Sequence, residues 1–377
     1  MAKIAKNKLK NFVEELLASV DVKINDDRPW GIKVHDERLY QRVATAGNLG
    51  LGEAYMDGWW DCDRIDELIY RILQGNLAEK VRHGVSIELA LYTLLHLNPA
   101  GDKVKAFEIA EKHYDVGNDL FKAMLDKRMV YTCGYFREAT TLNEAQEAKL
   151  DLVCRKIGLK PGMKVLDIGG GWGSFAKFAA EKYQAQVVNI TVSKEQVALA
   201  DELCKGLTVE NRLQDYRDVN EKFDAIVSLG MFEHVGPRYY KDYFAVVERC
   251  LKDDGLFLLH TIGRNSTKGQ PDPWIGKYIF PNSALPSAHL ITGAIEGKFI
   301  MEDWHNFSAD YDKTLMAWYD NFERHWSELK NKYSERFHRM WRYYLLSCAG
   351  GFRSRNIQLW QIVLSKKGVP GGYHSVR

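Results

Sequence analysis

The stretch VLDIGGGWGS, Val165 to Ser174, decides the fold. It opens inside a short apolar run, Lys164–Ile168, of the kind that forms a buried strand. Gly169, Gly170 and Gly171 follow at once, and glycines there permit a tight turn and close backbone approach to a ligand. The helix-forming segment Phe175–Lys182 comes next, and a helix start offers free N–H groups. The spacing is Gly169-x-Gly171-x-Gly173, with Ser174 where the fingerprint GxGxxG would carry its third glycine. That mismatch argues against NAD. Asp167, just ahead of the glycines, can receive the ammonium group of an amino-acid ligand. A glycine-rich turn without a ligand is the plain alternative.

Outward from the loop the chain alternates strands and helices. Val187–Thr191 (VVNIT), Val209–Leu213, Phe223–Gly230 (FDAIVSLG) and Gly255–Ile262 (GLFLLHTI) read as strands. Lys194–Leu203 and Tyr239–Leu251 read as helices. This order predicts an α/β fold, a parallel sheet with helices on both faces. After Ile262 the rhythm stops. Gly263–Leu290, rich in Pro, Gly and aromatics, reads as an inserted lid or loop. Phe299–Trp304 and Ile357–Ser365 read as strands, Thr314–Asn331 and Ser334–Ser347 as helices.

Ahead of the loop, residues 1 to about 95 read as mostly helical. Phe12, Leu16, Leu17 and Val20 recur at helical spacing, and Ile87–Leu97 is an apolar helix candidate. GNLGLGEAYMDGWWD, Gly47–Asp61, reads as rich in turns. The expected domains are a small, mostly helical one over 1–98, a linker over 99–112, and a main domain over 113–377.

The 377 residues carry a formal net charge of +2, too balanced for a nucleic-acid binder. The six cysteines form no CxxC pair, so no metal site is expected and the thiols should stay free in a reducing cytoplasm. No run approaches ~18 uninterrupted apolar residues, so no membrane span is expected. Glu14 and Glu15 interrupt the lysine-rich amino terminus, which leaves no secretory signal.

A strand–Asp–GxGxG–helix unit resembles motif I of class I S-adenosylmethionine methyltransferases. The second strand ends on Thr191, Ser193 and Gln196 instead of an acid, and these can make neutral hydrogen bonds to a ribose. In LQDYRD, Leu213–Asp218, Asp215 is placed for the exocyclic amine of adenine and Tyr216 for packing; a solvated turn is the bland reading of Asp215.

From about Gly47 to about Ser365 the chain closely resembles the bacterial cyclopropane-fatty-acyl-phospholipid synthases, and less closely the mycolic acid cyclopropane synthases. The strings that carry this are GLGEAYMDGWWD, HYDVGNDLF (His113–Phe121), YTCGYF (Tyr131–Phe136) and LDIGGGWG. Further on come MFEHVG (Met231–Gly236), LLHTIG, DPWIGKYIFP (Asp272–Pro281), DWHNFSADYDKTLMAW (Asp303–Trp318) and IQLWQ. Two departures stand in the loop region: Gly170 where the family usually has cysteine, and Asn189 where it usually has glycine.

The resemblance implies a class I methyltransferase fold, Rossmann-like, with a mostly parallel seven-stranded sheet. It implies methylene transfer from S-adenosylmethionine to a cis double bond of a phospholipid acyl chain. Methylation of an alkene creates a carbocation, and a proton must leave before the ring closes. Such a site needs an apolar slot, π or negative charge, and a sheltered base. The resemblance assigns the base to bound bicarbonate, held by Cys133, Glu233, His260, Ile262 and Tyr311, with Cys348 a further catalytic position of low expected role. The implied cofactor set is Tyr131, Thr132, Asp167, Gly169, Gly171, Trp172 and Gly173, then Thr191, Ser193, Gln196, Gln214, Asp215 and Tyr216. Without the family, Glu233 and His234 are a helix-start pair, His260 a core histidine, Cys133 and Cys348 small apolar groups, and Tyr311 packing. A homodimer at the inner face of the cytoplasmic membrane is also implied, with Lys3–Val20 and Trp274–Leu285 as candidates for lipid contact. The competing readings are a relative that makes methyl-branched or hydroxylated lipid, and a lipid-binding protein without catalysis.

Overall fold

The computed structural model describes residues 2–77, 116–268 and 271–377. The helix expected at Ile87–Leu97, the boundary at residue 98, the linker 99–112 and His113–Asp115 lie outside them. Two compact units divide the chain. One comprises Met1–Met124, Gln270–Pro281 and Leu315–Asn356, the other Leu125–Gly269, Asn282–Thr314 and Ile357–Arg377.

The first unit is helical, with a small ribbon of β1 (Lys33–Val34) against β2 (Trp60–Asp61). The segment expected to be turns is mostly helix. Arg38–Met56 runs through it and is interrupted only at Gly47, with φ 53° and ψ −132°. Gly50 and Gly52 serve close packing instead of turning. A Cβ on Gly52 would lie 2.5 Å from the Trp274 ring, and one on Gly50 would press on the Arg42 carbonyl. Trp274 itself is 1% exposed, with its ring 4.7 Å from that of Tyr343. It sits on a short helix, Pro273–Tyr278, whose start Asp272 caps by accepting the N–H groups of Trp274 and Ile275. Within the span Trp274–Leu285 named as a candidate for lipid contact, Trp274 and Tyr278 are buried packing residues.

The second unit is built on a seven-stranded sheet in the order β5-β4-β3-β6-β7-β9-β8. The strands are β3 (Lys164–Ile168), β4 (Gln186–Thr191), β5 (Val209–Leu213), β6 (Phe223–Leu229), β7 (Leu251–Arg264), β8 (Ile300–Asn306) and β9 (Ile357–Ser365). β3 to β7 pair in parallel; β9 runs antiparallel between β7 and β8. Alternate residues of one strand serve different cores. Leu166, Ile168 and Ile226 pack on one face with Phe257; Val165, Val187 and Val227 pack on the other with Phe175. A strand buried on both faces is mostly apolar, which is why β3 and β6 read so plainly, Asp167 and Ser228 being their buried polar exceptions. Part of the expected loop after Ile262 is a helix, Ala288–Ile295, capped by Ser287 and burying Ile291, Ala294 and Ile295. Eight residues are too few to give a readable period in sequence.

Candidate active site

The glycine loop sits where β3 meets the helix Ser174–Tyr183. Gly169, Gly171 and Gly173 have φ of 75°, 58° and 77°, a region that L side chains avoid. The Gly169 N–H is held by the Ile190 carbonyl at 2.9 Å, which ties the turn to β4. Beneath it, Asp167 is fully buried and neither carboxylate oxygen has a partner. Burial pushes its carboxyl up to about 7, against the pull of Lys149. A buried carboxylate without a donor is costly, so a cationic ligand group fits here.

At the ends of the next strands, the ribose candidates are partly committed to one another. Thr191 Oγ1 donates to Gln196 Oε1 at 2.6 Å and accepts from the Ser193 N–H at 3.2 Å. Ser193 caps the helix Lys194–Leu203 through the Gln196 N–H. The Gln196 amide nitrogen faces the loop, 3.9 Å from where a Cβ on Gly171 would be. Gln214 N–H donates to the Thr191 carbonyl at 3.0 Å, which joins the two strand ends. Asp215 takes the Arg217 guanidinium and N–H, and these hold its carboxyl below the usual range. Tyr216 packs its ring 5.3 Å from that of Tyr243. Trp172, in the loop, is 7% exposed.

On the other side of β3, past β6 and on β7, lies the second group. Glu233 stands on a 3-10 turn, Phe232–His234, just past β6, and its carbonyl accepts the Ala284 N–H at 2.8 Å. Its Oε1 accepts the Ile262 N–H at 2.7 Å, while Oε2 is buried without a partner. Burial pushes Glu233 up to about 7, against the Ile262 N–H. His260, on β7, pairs in register with Leu229 of β6. Gln361 Nε2 donates to His260 Nδ1 at 3.3 Å, which leaves the ring proton on Nε2, buried and without a partner. Burial pushes His260 well below the usual histidine range, so it stays neutral.

Cys133 is fully buried; its thiol donates to the Gly134 carbonyl at 3.1 Å, and the Thr314 hydroxyl lies 3.9 Å from Sγ. Tyr311, 7% exposed, is one turn before Thr314 on the same helix, Ala309–Leu329, so both share a face. Phe307 links the groups: its ring lies 6.0 Å from His260 and 5.2 Å from Tyr135. Burial raises the Cys133 thiol well above its ordinary value and Cys348 to about 12, so neither is a thiolate at neutral pH. Cys348 lies on Glu335–Arg353, in the first unit.

Sequence reasoning missed Gln361, Phe307 and Lys149. Gln361 had a signal, a polar residue in the apolar run IQLWQIVLS. Phe232 and Trp360 are core side chains, stacked on Tyr240 and set against Trp304. Among the described residues no His, Cys, Asp and Glu cluster could hold a metal, and no helix is long and apolar enough to cross a membrane.

The model of the mycolic acid cyclopropane synthetase family matches residues 102–362. The cyclopropane-fatty-acyl-phospholipid synthase of Escherichia coli (strain K12) is 51% identical over 368 residues, covering 97% of this chain and 95% of that protein. A probable fatty acid methyltransferase of Pseudomonas putida is 36% identical, covering 92% of this chain and 89% of that protein. The crystal structure of mycolic acid cyclopropane synthase CmaA1 with SAH and CTAB superposes with a TM-score of 0.62 at 33% identity, over 69% of this chain and 98% of that one.

Proposed function

Because the chain belongs to the mycolic acid cyclopropane synthetase family of S-adenosylmethionine-dependent methyltransferases, we propose that it converts the cis double bond of an unsaturated phospholipid acyl chain into a cyclopropane ring, with bicarbonate as the base. One observation carries this reading. Asp167, Glu233 Oε2 and His260 Nε2 are buried polar groups without partners, on or just past the parallel strands β3, β6 and β7. Ligands collect at the carboxyl ends of such strands.

When bound, S-adenosylmethionine supplies an electrophilic methyl group. Asp167 receives the ammonium end of that molecule, the glycine backbone approaches it closely, and Gln196 offers its amide to the ribose. Asp215, with its remaining acceptor capacity, and Tyr216 face the adenine. Tyr131, Thr132 and Trp172 complete the cofactor set.

Bicarbonate fits the second group by its donor set. His260 Nε2–H donates to an anion, and the fixed Oε2 of Glu233 exchanges a proton with it. The Ile262 backbone, Tyr311 and Cys133 complete the shell; Cys133 must first turn its S–H from the Gly134 carbonyl. Because His260 is neutral and Glu233 titrates near 7, the pocket offers donors without a permanent positive charge on the ring. The buried surroundings keep water from a developing cation. Phe307 and Tyr135 present aromatic rings beside it, and each π contact with a cation is worth about 0.5–2 kcal/mol.

The same reading takes residues 1–98 as a dimerising, membrane-approaching domain ahead of a main domain from residue 113. The helix Ala2–Ala18 buries Leu9 and Leu17 within the chain and leaves Lys8 exposed, so a basic surface is what it can offer to anionic lipid. Light scattering tests the dimer, and co-sedimentation with anionic vesicles tests lipid contact.

The decisive experiment gives purified protein S-adenosylmethionine and vesicles of dioleoyl phospholipid, with and without bicarbonate. Mass spectrometry should show a gain of one CH2 with loss of the alkene, dependent on bicarbonate. A gain of CH2 with the alkene retained means a branched product, and no change at all refutes the reading.

A further inference from the structure

The helix Leu142–Lys156 turns Lys149 inward until none of the residue reaches solvent. A buried ammonium is costly unless paired or hydrogen-bonded. Among the described residues Lys149 makes no ion pair; its Nζ donates to Thr132 Oγ1 at 2.7 Å. Gln146, one turn earlier on the same face, donates from Nε2 to the Thr132 carbonyl at 2.7 Å. Two buried polar side chains of one helix are therefore spent on one residue. That residue stands between Tyr131 and Cys133, and its Cγ2 lies 2.7 Å from where a Cβ on Gly230 would be, at the end of β6.

Two carboxylates act on the Lys149 charge, Asp126 and Asp167. Asp126 is already used: its oxygens accept the N–H groups of Val130 at 2.8 Å and Arg128 at 2.9 Å, closing the turn that leads into residues 131–133. Asp167 has no hydrogen-bond partner.

We propose that Lys149 is a positioning residue of the methyl-donor site: its ammonium fixes Thr132 from beneath and supplies the buried positive charge that balances Asp167. This rests on the reading of Asp167 as the ammonium receiver. The charge directions agree with it. Burial lowers Lys149 to about 8 while Asp126, Cys133 and Asp167 raise it, and Lys149 in turn pulls Asp167 down. Lys149 also acts on His260, lowering it further after burial has done so.

The test is calorimetric titration of S-adenosylhomocysteine into the full chain from pH 6.5 to 8.5. Lys149→Met should weaken binding at least tenfold at pH 7.5, and raising the pH should recover much of the loss, because Asp167 then ionises without help. A merely structural role would not produce that pH-dependent recovery. Thr132→Val cuts the hydrogen bond and keeps the charge; it should weaken binding about threefold with the parental pH dependence. Lys149→Met that melts like the parent and binds like it at every pH overturns the proposal. If Lys149→Met does not fold, parental affinity in Thr132→Val overturns it. Failure of the unmodified chain to bind at all would instead remove the underlying reading of Asp167.

Discussion

Glu233 and Ile262 are joined by one hydrogen bond, from the Ile262 N–H to Oε1 at 2.7 Å, and that bond aims the other carboxyl oxygen inward. The carboxyl is thus tied to the Ile262 backbone, with the Thr261 hydroxyl also favouring its charged form, between the ends of β6 and β7. Glu233→Gln keeps the acceptor for Ile262 and removes the titratable group. Turnover should fall by about 10²- to 10⁴-fold, the usual span for loss of an acid–base group. The dissociation constant of S-adenosylhomocysteine should stay within about twofold, since the binding residues stand on other strands. Equal loss of both would make Glu233 a folding residue.

Gln361 acts on His260 from β9, the antiparallel neighbour of β7. Its amide fixes which ring nitrogen carries the proton. Gln361→Met keeps the volume and removes that donor, so the ring loses its tautomer preference. Turnover should fall about tenfold with the KM for S-adenosylmethionine unchanged, and ¹⁵N chemical shifts of His260 should report mixed tautomers. Unaltered shifts would show that Gln361 does not set the ring.

Asp167 gives the site a pH dependence whose sign follows from its raised value. Burial lifts it from 3.8 to about 7, so below that pH the carboxyl is mostly neutral and offers no charge to an ammonium group. Affinity for S-adenosylhomocysteine should be level above pH 7.5 and fall by up to ~10-fold per unit below 7. Asp167→Asn should bind weakly with no such limb. In the unliganded protein the same raised value favours the fold at lower pH, because the native state holds a proton that the unfolded chain releases. That contribution is lost as pH rises from about 4 to about 7. A level binding curve from pH 5.5 to 8 would remove Asp167 from the role.

How much of this was readable depends on what each residue does. Lys164–Ile168 and Ile357–Ser365 were legible because strands buried on both faces are predominantly apolar, even with Asp167 and Gln361 inside them. Gly50 and Gly52 misled, because a glycine that lets backbone or a tryptophan approach has the same letter as one that turns a chain. Lys149 was missed because a lysine in a helix is normally solvated. The only hint was its place on the stripe Gln146, Lys149, Val153, spaced by three and four. The motif residues Glu233, His260 and Asp167 could be named from resemblance, but their unpartnered atoms could not. Those depend on register between strands and on Gln361, 101 residues beyond His260.

Gly170 and Asn189, the two departures from the family pattern, meet in space. A Cβ on Gly170 would fall inside contact distance of both Asn189 Oδ1 and Asp167 Oδ2. Asn189 fills that room from β4, donating through Nδ2 to Asn211 Oδ1 at 2.8 Å. The two positions therefore share one volume, and each residue suits only the other. Gly170→Cys alone overpacks the loop and should cost about 1–3 kcal/mol of stability, with a matching loss of S-adenosylhomocysteine affinity as the Asp167 carboxyl is displaced. Asn189→Gly alone leaves a void and should cost about 1 kcal/mol. The double substitution should recover most of both losses, giving a coupling energy of about 1–2 kcal/mol in a thermodynamic cycle. Losses that add to within about 0.5 kcal/mol would mean that the two sites are independent and that the loop absorbs a side chain at 170 by moving.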